Sequence, residues 1–159
     1  MAMLLVLAAC SSSTDVDDRW ANPETISYAP SLNIDISKMN RTPIKRGNST
    51  YTLFWQDIVV GEADTAKVGD NVRVHYTGWL PDGTEFDSTR GRDPIEFLLG
   101  LGFVMPGFDG GVIGMRIGGV RRLVIRPELA FGNRGRPEEG IPAATTVVVE
   151  VERLTTPAH

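Results

Sequence analysis

Cysteine occurs once, at Cys10, and histidine twice, at His75 and His159, in 159 residues. A single cysteine excludes a disulfide framework within the chain, and neither a multi-cysteine nor a histidine-cluster metal site can be assembled from so few ligands. No metal or cofactor is therefore expected. Basic charge is also scarce: 16 Lys and Arg stand against 20 Asp and Glu, for a net charge of -4 and a pI near 5.2. Such a balance does not build a surface that neutralises phosphates, so nucleic acid is not expected as a partner. The clusters Arg121-Arg122 and Arg134 to Arg136 are read as solvated surface. Beyond residue 10 no run approaches the ~20 apolar residues of a membrane-spanning helix. A phosphate-binding loop is missing, and the glycines between Gly107 and Gly119 do not follow a strand in the dinucleotide-binding pattern. A serine triad would need His75, which sits between Val74 and Tyr76 in a strand-like run and is expected to point outward.

Residues 1–10 close on Leu7-Ala8-Ala9-Cys10 after a short apolar run. This resembles the end of a bacterial lipoprotein signal, in which the box is cleaved and the cysteine lipidated, although no Lys or Arg precedes the run. The resemblance implies a mature chain that begins at Cys10 and meets a membrane through lipid on that residue. Residues 11–47 are rich in Ser, Thr, Asp, Asn and Pro, with Pro23, Pro30 and Pro43 breaking any helix, and read mainly as a linker. Within them Leu32, Ile34 and Ile36 alternate with polar residues and Met39 follows. That period of two fits an extended docking strand and a solvated spacer equally well.

From residue 48 to 156 the chain reads as one β-rich domain. Strands are expected at 51–60, 71–76, from Phe86, at 95–99, 121–126 and 145–154, with a loop over 61–69. Val72, Val74 and Tyr76 share one face of their strand, and Val147, Val149 and Val151 share one face of the last. Leu80-Pro81-Asp82-Gly83-Thr84 has the chemistry of a hairpin turn. One helix is expected over 106–115, where Phe108, Val112 and Met115 form an apolar stripe and Pro106 suits the first turn. Gly107, Gly110, Gly111 and Gly114 oppose it, at up to ~1 kcal/mol each. The helix is therefore expected to form only when packed on a sheet. An antiparallel sheet wrapped around one short helix, an α+β fold, is the economical architecture.

Several separate motifs then point to one family. They are Val74-His75-Tyr76-Thr77-Gly78-Trp79 running on to Phe86-Asp87-Ser88-Thr89, Val104-Met105-Pro106-Gly107-Phe108-Asp109, and Arg126-Pro127-Glu128-Leu129-Ala130-Phe131-Gly132. With Ile141-Pro142 and the closing strand, they resemble FKBP-type peptidyl-prolyl cis-trans isomerases over roughly residues 50 to 155. The resemblance implies five or six antiparallel strands curled around one short α-helix, and acceleration of rotation about X-Pro bonds. It assigns Asp87, Tyr76, Phe86, Phe108 and Phe131 to the catalytic pocket. Arg92, Ile95, Phe97, Val104, Met105, Ala130, Ile141 and Val149 follow as substrate-binding positions. Phe108 would form the pocket floor, Arg92 would hold Asp87, and the Met105 N–H would donate to a substrate carbonyl.

The departures from the family concentrate in that pocket. Phe108 stands where Trp is usual and Phe131 where Tyr is usual; Ile95 and Val149 replace aromatic residues, and Arg136 replaces a histidine. These changes widen the pocket and remove a hydroxyl, so macrolide FKBP inhibitors are expected to bind more weakly while catalysis survives. The leading expectation is a lipid-tethered isomerase on the periplasmic side of a bacterial envelope, acting on proline-containing polypeptides during folding. The alternatives are a non-catalytic peptide-binding or chaperone module on the same fold, and an envelope interaction protein using residues 26–46 as its contact strand.

Overall fold

The computed structural model describes residues 19–157, so Cys10 and its signal-like run lie outside the described residues. The described residues form nine strands and one α-helix: β1 (Asn40–Arg46), β2 (Ser49–Val59), β3 (Glu62–Thr65), β4 (Asn71–Trp79), β5 (Glu85–Ser88), β6 (Ile95–Leu98), α1 (Pro106–Val112), β7 (Arg116–Ile117), β8 (Val120–Ile125) and β9 (Val147–Leu154). Seven strands make one sheet in the order β1-β2-β8-β9-β4-β5, with β6 also paired to β4. All its pairings are antiparallel. Strands β5 and β6 meet opposite ends of β4, Ser88 facing Thr77 and Ile95 facing Val74. The loop over 89–94 leaves the sheet between them and carries Arg92.

The expected fold class holds, with more strands in the sheet than the family resemblance implied. Part of the excess is β1, which lies in the segment read as linker. Pro43 belongs to this strand, and an edge strand tolerates a residue with no N–H to donate. A second finding concerns residues 32–36, where the alternating pattern fitted a docking strand and a solvated spacer equally well and neither forms. Two short 3-10 turns stand there instead, over Pro30–Leu32 and Ile36–Lys38. Leu32 and Met39 are buried against Phe54, Val124 and Val148, on the face of the sheet opposite the helix, with Tyr28, Ala29, Ile34, Ile36 and Trp79 around them. Backbone bonds from Ala29 N–H to the Pro81 carbonyl and from Thr146 N–H to the Trp20 carbonyl fasten the segment at two further points. The loop expected over 61–69 also contains β3, which pairs with β7.

Helix α1 rests on the other face, over the main core of Leu53, Val72, Val74, Leu123, Ile125, Val147, Val149 and Val151. It stops at Val112 rather than at residue 115: Ile113 already has an extended ψ of 131°, and Gly114 at φ +80° completes a turn closed by the Met115 N–H on the Val112 carbonyl. Met115 is nonetheless buried, so the apolar stripe survives the early stop. The helical glycines that propensity counts as a cost are what lets the helix sit this close. A Cβ at Gly107 would lie 2.3 Å from Cγ2 of Ile125, and one at Gly111 would lie 2.6 Å from Cδ1 of Leu123. Gly107→Ala is therefore expected to destabilise the fold by about 1–3 kcal/mol through overpacking, although helix propensity alone gives the opposite sign. Urea unfolding of the single variant checks which effect wins.

Candidate functional site

The inward alternation of β4 carries Val72 and Val74 into the core and leaves Tyr76, the next residue on that face, at its open end. Gly78 comes next on the same face and has no side chain. The Phe86 ring occupies that space, and a Cβ at Gly78 would lie 2.5 Å from Phe86 Cζ. The β4–β5 register shifts at this point, Gly78 facing Asp87 and Trp79 facing Glu85, so Phe86 has no partner opposite it. That bulge lets two consecutive residues, Phe86 and Asp87, reach one cleft.

The cleft has a volume of about 480 Å³. Its floor is Phe108 on α1, 4% exposed. The Phe108 ring meets Tyr76 edge to face at 5.5 Å and Phe97 in a tilted contact at 5.9 Å. Phe86 and Phe131 form a second edge-to-face pair at 5.8 Å. Ile95, Val104, Met105, Ala130 and Val149 complete the apolar lining. Two rims are polar, one at Asp87 and the other at Arg136 with Glu139. The Tyr76 hydroxyl donates to Asp87 Oδ2 at 2.5 Å, and Arg92 Nη2 donates to Asp87 Oδ1 at 2.9 Å. Arg92 is itself oriented by the Ser88 carbonyl, which accepts from its Nε at 3.0 Å.

Burial, reinforced by the Asp87 carboxylate, pushes the Tyr76 hydroxyl up to about 12. It therefore keeps its proton throughout the neutral range and acts as a donor toward Asp87. Because the raised value means the folded state holds this proton more tightly, the resulting stability is complete below pH about 10 and is lost as pH rises toward about 12. The stability difference between wild type and Tyr76→Phe, followed by urea unfolding, is expected to stay constant up to pH about 10 and to shrink above it.

Phe97, Ile141 and Arg92 are not among the side chains that line this cleft, although Arg92 holds Asp87 as the resemblance implies. Phe97 lies behind Phe108, and Ile141 is fully buried outside the lining; its backbone exchanges two hydrogen bonds with Arg136 at the base of the 131–141 loop. Arg92 acts on the cleft only through Asp87. Three lining residues, Gly78, Phe103 and Glu139, were not among the expected positions, and a fourth, Arg136, was named only as a departure from the family's histidine. Arg136, read as solvated surface, lies 5.1 Å over the Phe131 ring and pairs with Glu139 at 3.1 Å. Arg121, read the same way, is buried and bound to Asp57 and to the end of α1. Neither placement has a local signal, since an arginine's stacking partner is set by distant segments.

Asp109 was legible only as a polar residue on the helix. Its buried carboxylate accepts from Gly100 N–H at 2.6 Å and Gly102 N–H at 3.0 Å, fixing the loop that leads into Val104 and Met105. That is a positioning role for the cleft's entrance.

Several known proteins are similar to this chain. An FK506-binding protein of Neisseria meningitidis is 42% identical over 104 residues, 65% of this chain and 94% of that protein. The human peptidyl-prolyl cis-trans isomerase FKBP2 is 49% identical over 90 residues, 56% of this chain and 63% of that protein. The crystal structure of AtFKBP13 superposes with a TM-score of 0.61 at 36% identity, covering 66% of this chain and 93% of that one. Of its fungal, rodent, bovine and human relatives the chain spans 19% to 64% of the length, less than two thirds. Residues 62–154, more than half of the sequence and all of the strands and loops that line the cleft, match the description of FKBP-type peptidyl-prolyl cis-trans isomerases, and the chain belongs to that family.

Proposed function

We propose that the cleft holds the proline of an unfolded polypeptide and accelerates rotation about the preceding peptide bond. The observation that carries this is the hydrogen-bonded chain Arg92–Asp87–Tyr76 along one side of a cleft whose floor and remaining walls, apart from the Arg136–Glu139 rim, are aromatic and apolar. The barrier of ~18–20 kcal/mol arises from amide resonance, so neither a nucleophile nor a metal is needed. What lowers it is an environment that favours the twisted amide over both planar forms. Tyr76, Phe86, Phe108 and Phe131 grip the ring and displace water from the carbonyl, while Asp87 lies beside the turning bond. The Met105 N–H, at the start of α1, donates to a substrate carbonyl. Each ~1.4 kcal/mol of selective stabilisation gives a tenfold rate.

Turnover of an X-Pro tetrapeptide by the chain from Ser11 onward tests this. Asp87→Ala is expected to lower kcat/KM about ten- to a hundredfold, the worth of a charge-assisted hydrogen bond, with unfolding little changed. The absence of a hydroxyl on Phe131 and of aromatics at 95 and 149 favours a second reading, a peptide-binding module without catalysis. A folded wild type that binds the peptide but leaves its isomerisation rate unchanged would establish that reading and overturn the first.

The cellular role proposed is folding of envelope proteins from the periplasmic side of a bacterial membrane, with the chain anchored by lipid on Cys10. The Leu-Ala-Ala-Cys box supports it. Because residues 19–47 pack on the domain, only 11–18 separate Cys10 from folded chain, a reach of at most ~30 Å. The domain would then work close to the bilayer. Cys10→Ser should move the protein from the membrane to the soluble fraction; unchanged partitioning sinks the anchor.

A further inference from the structure

Phe103 is 67% exposed although it lines the cleft, and Leu101, at 56%, and Val68, at 62%, are exposed beside it. Val68 packs directly on Gly100, its Cγ1 lying 2.8 Å from where a Cβ there would stand, which sets it against the loop that carries Leu101 and Phe103. From Leu98 to Phe108 no residue carries a charged or hydrogen-bonding side chain. The loop is nonetheless held in place, because the buried Asp109 carboxylate takes the N–H groups of Gly100 and Gly102. Large apolar side chains on a fastened loop present a preformed contact surface, which binds without the cost of ordering it.

The other rims of the cleft differ in kind. One carries Asp87 with Arg92, and another carries Arg136 with Glu139. A polypeptide passing through the cleft therefore has a single uncharged way out among these rims, over Phe103 and then Leu101 and Val68. We infer that this shelf is a subsite for an apolar residue outside the X-Pro pair of an unfolded client, and that it makes the protein favour proline sites with apolar residues beyond that pair. The inference rests on the cleft being the X-Pro site. Continuity through Phe103, which belongs to both the cleft and the shelf, is what ties the occupant to the substrate.

The test compares two longer peptides with the same central X-Pro, one flanked by leucines and one by serines, alongside the tetrapeptide. Wild type is expected to favour the leucine-flanked peptide in kcat/KM by about tenfold, the usual worth of burying part of an aliphatic side chain. Leu101→Ser and Val68→Ser, both outside the cleft, should each shrink that preference several-fold and leave tetrapeptide turnover unchanged. No preference in the wild type, or a preference that survives both substitutions, overturns the subsite. If the wild type does not turn over the tetrapeptide, the isomerase reading fails and anisotropy of the labelled peptides decides the shelf. Tighter leucine-flanked binding that is lost in Leu101→Ser supports it, and equal affinities overturn it. A dimer seen in sedimentation of the wild type and abolished by Leu101→Ser would assign the surface to a second copy instead.

Discussion

Phe108→Ala is expected to lower stability by about 3–5 kcal/mol and to remove most X-Pro turnover, the largest combined effect of any single substitution in the cleft. Phe108 is buried between Tyr76 and Phe97, with Val112 and the sheet beneath it, so truncation leaves a void that rigid neighbours cannot close. The same ring is the floor against which a proline would rest, and the edge that Tyr76 meets while donating to Asp87. Urea unfolding and the tetrapeptide assay on one preparation separate the two effects. Phe108→Trp should restore turnover, since the cleft has room above the floor. Alanine costing less than about 1 kcal/mol would mean that the helix does not rest on this ring.

Arg121→Ala should be of comparable size, about 3–5 kcal/mol, for a different reason. The guanidinium is 8% exposed and pairs with Asp57 at 2.6 Å and 3.2 Å. Its Nη1 donates to the Gly111 carbonyl at 3.0 Å and the Ile113 carbonyl at 3.1 Å, and its plane lies 4.1 Å from the centre of the Trp55 ring. Those carbonyls end α1 and have no later turn of helix to bond. Removing the arginine strands two carbonyls and one carboxylate together, while Arg121→Lys, with a single point charge, retains only part of the set. Because α1 carries Phe108, turnover should fall along with stability. Pairing Arg121→Met with Asp57→Asn should cost less than the sum of the two single changes, and strict additivity in that cycle would show that the pair is not coupled.

How legible the fold was depended on how local its causes are. Strands β4, β8 and β9 could be read from alternation because one face meets the helix, and Val72, Val74, Leu123, Ile125, Val147, Val149 and Val151 all lie in that core. The segment over 19–47 could not be read this way. Its apolar residues are few, and their burial depends on Phe54, Val124 and Val148 presenting a second apolar face, which looks in the sequence like an interruption of the first. Helix α1 was half legible. Its stripe showed, but its glycines argued against it until Ile125 and Leu123 were seen to leave no room for a methyl group.

The cleft divides along the same line. Tyr76, Phe86, Asp87, Phe108 and Phe131 could be grouped because a family resemblance joined motifs that are far apart in the chain, and the structure brings them around one space. Phe103 and Glu139 escaped, since an exposed aromatic in a loop and a glutamate near an arginine are ordinary surface features, and of Arg136 only its departure from the family's histidine was legible. By itself the sequence determined that cysteine and histidine are too few for a metal cluster of either kind, that no membrane-length apolar run follows residue 10, the α+β class, and the motifs that carry the cleft's chemistry. These follow from composition and from short-range periodicity, which act within a few residues. Tertiary structure alone decided that 19–47 belongs to the folded body, that Arg121 is buried, that Ile141 is an anchor, and that the cleft opens over Phe103. Each of those depends on which distant surfaces meet, and burial is a property of the pair in contact rather than of either segment.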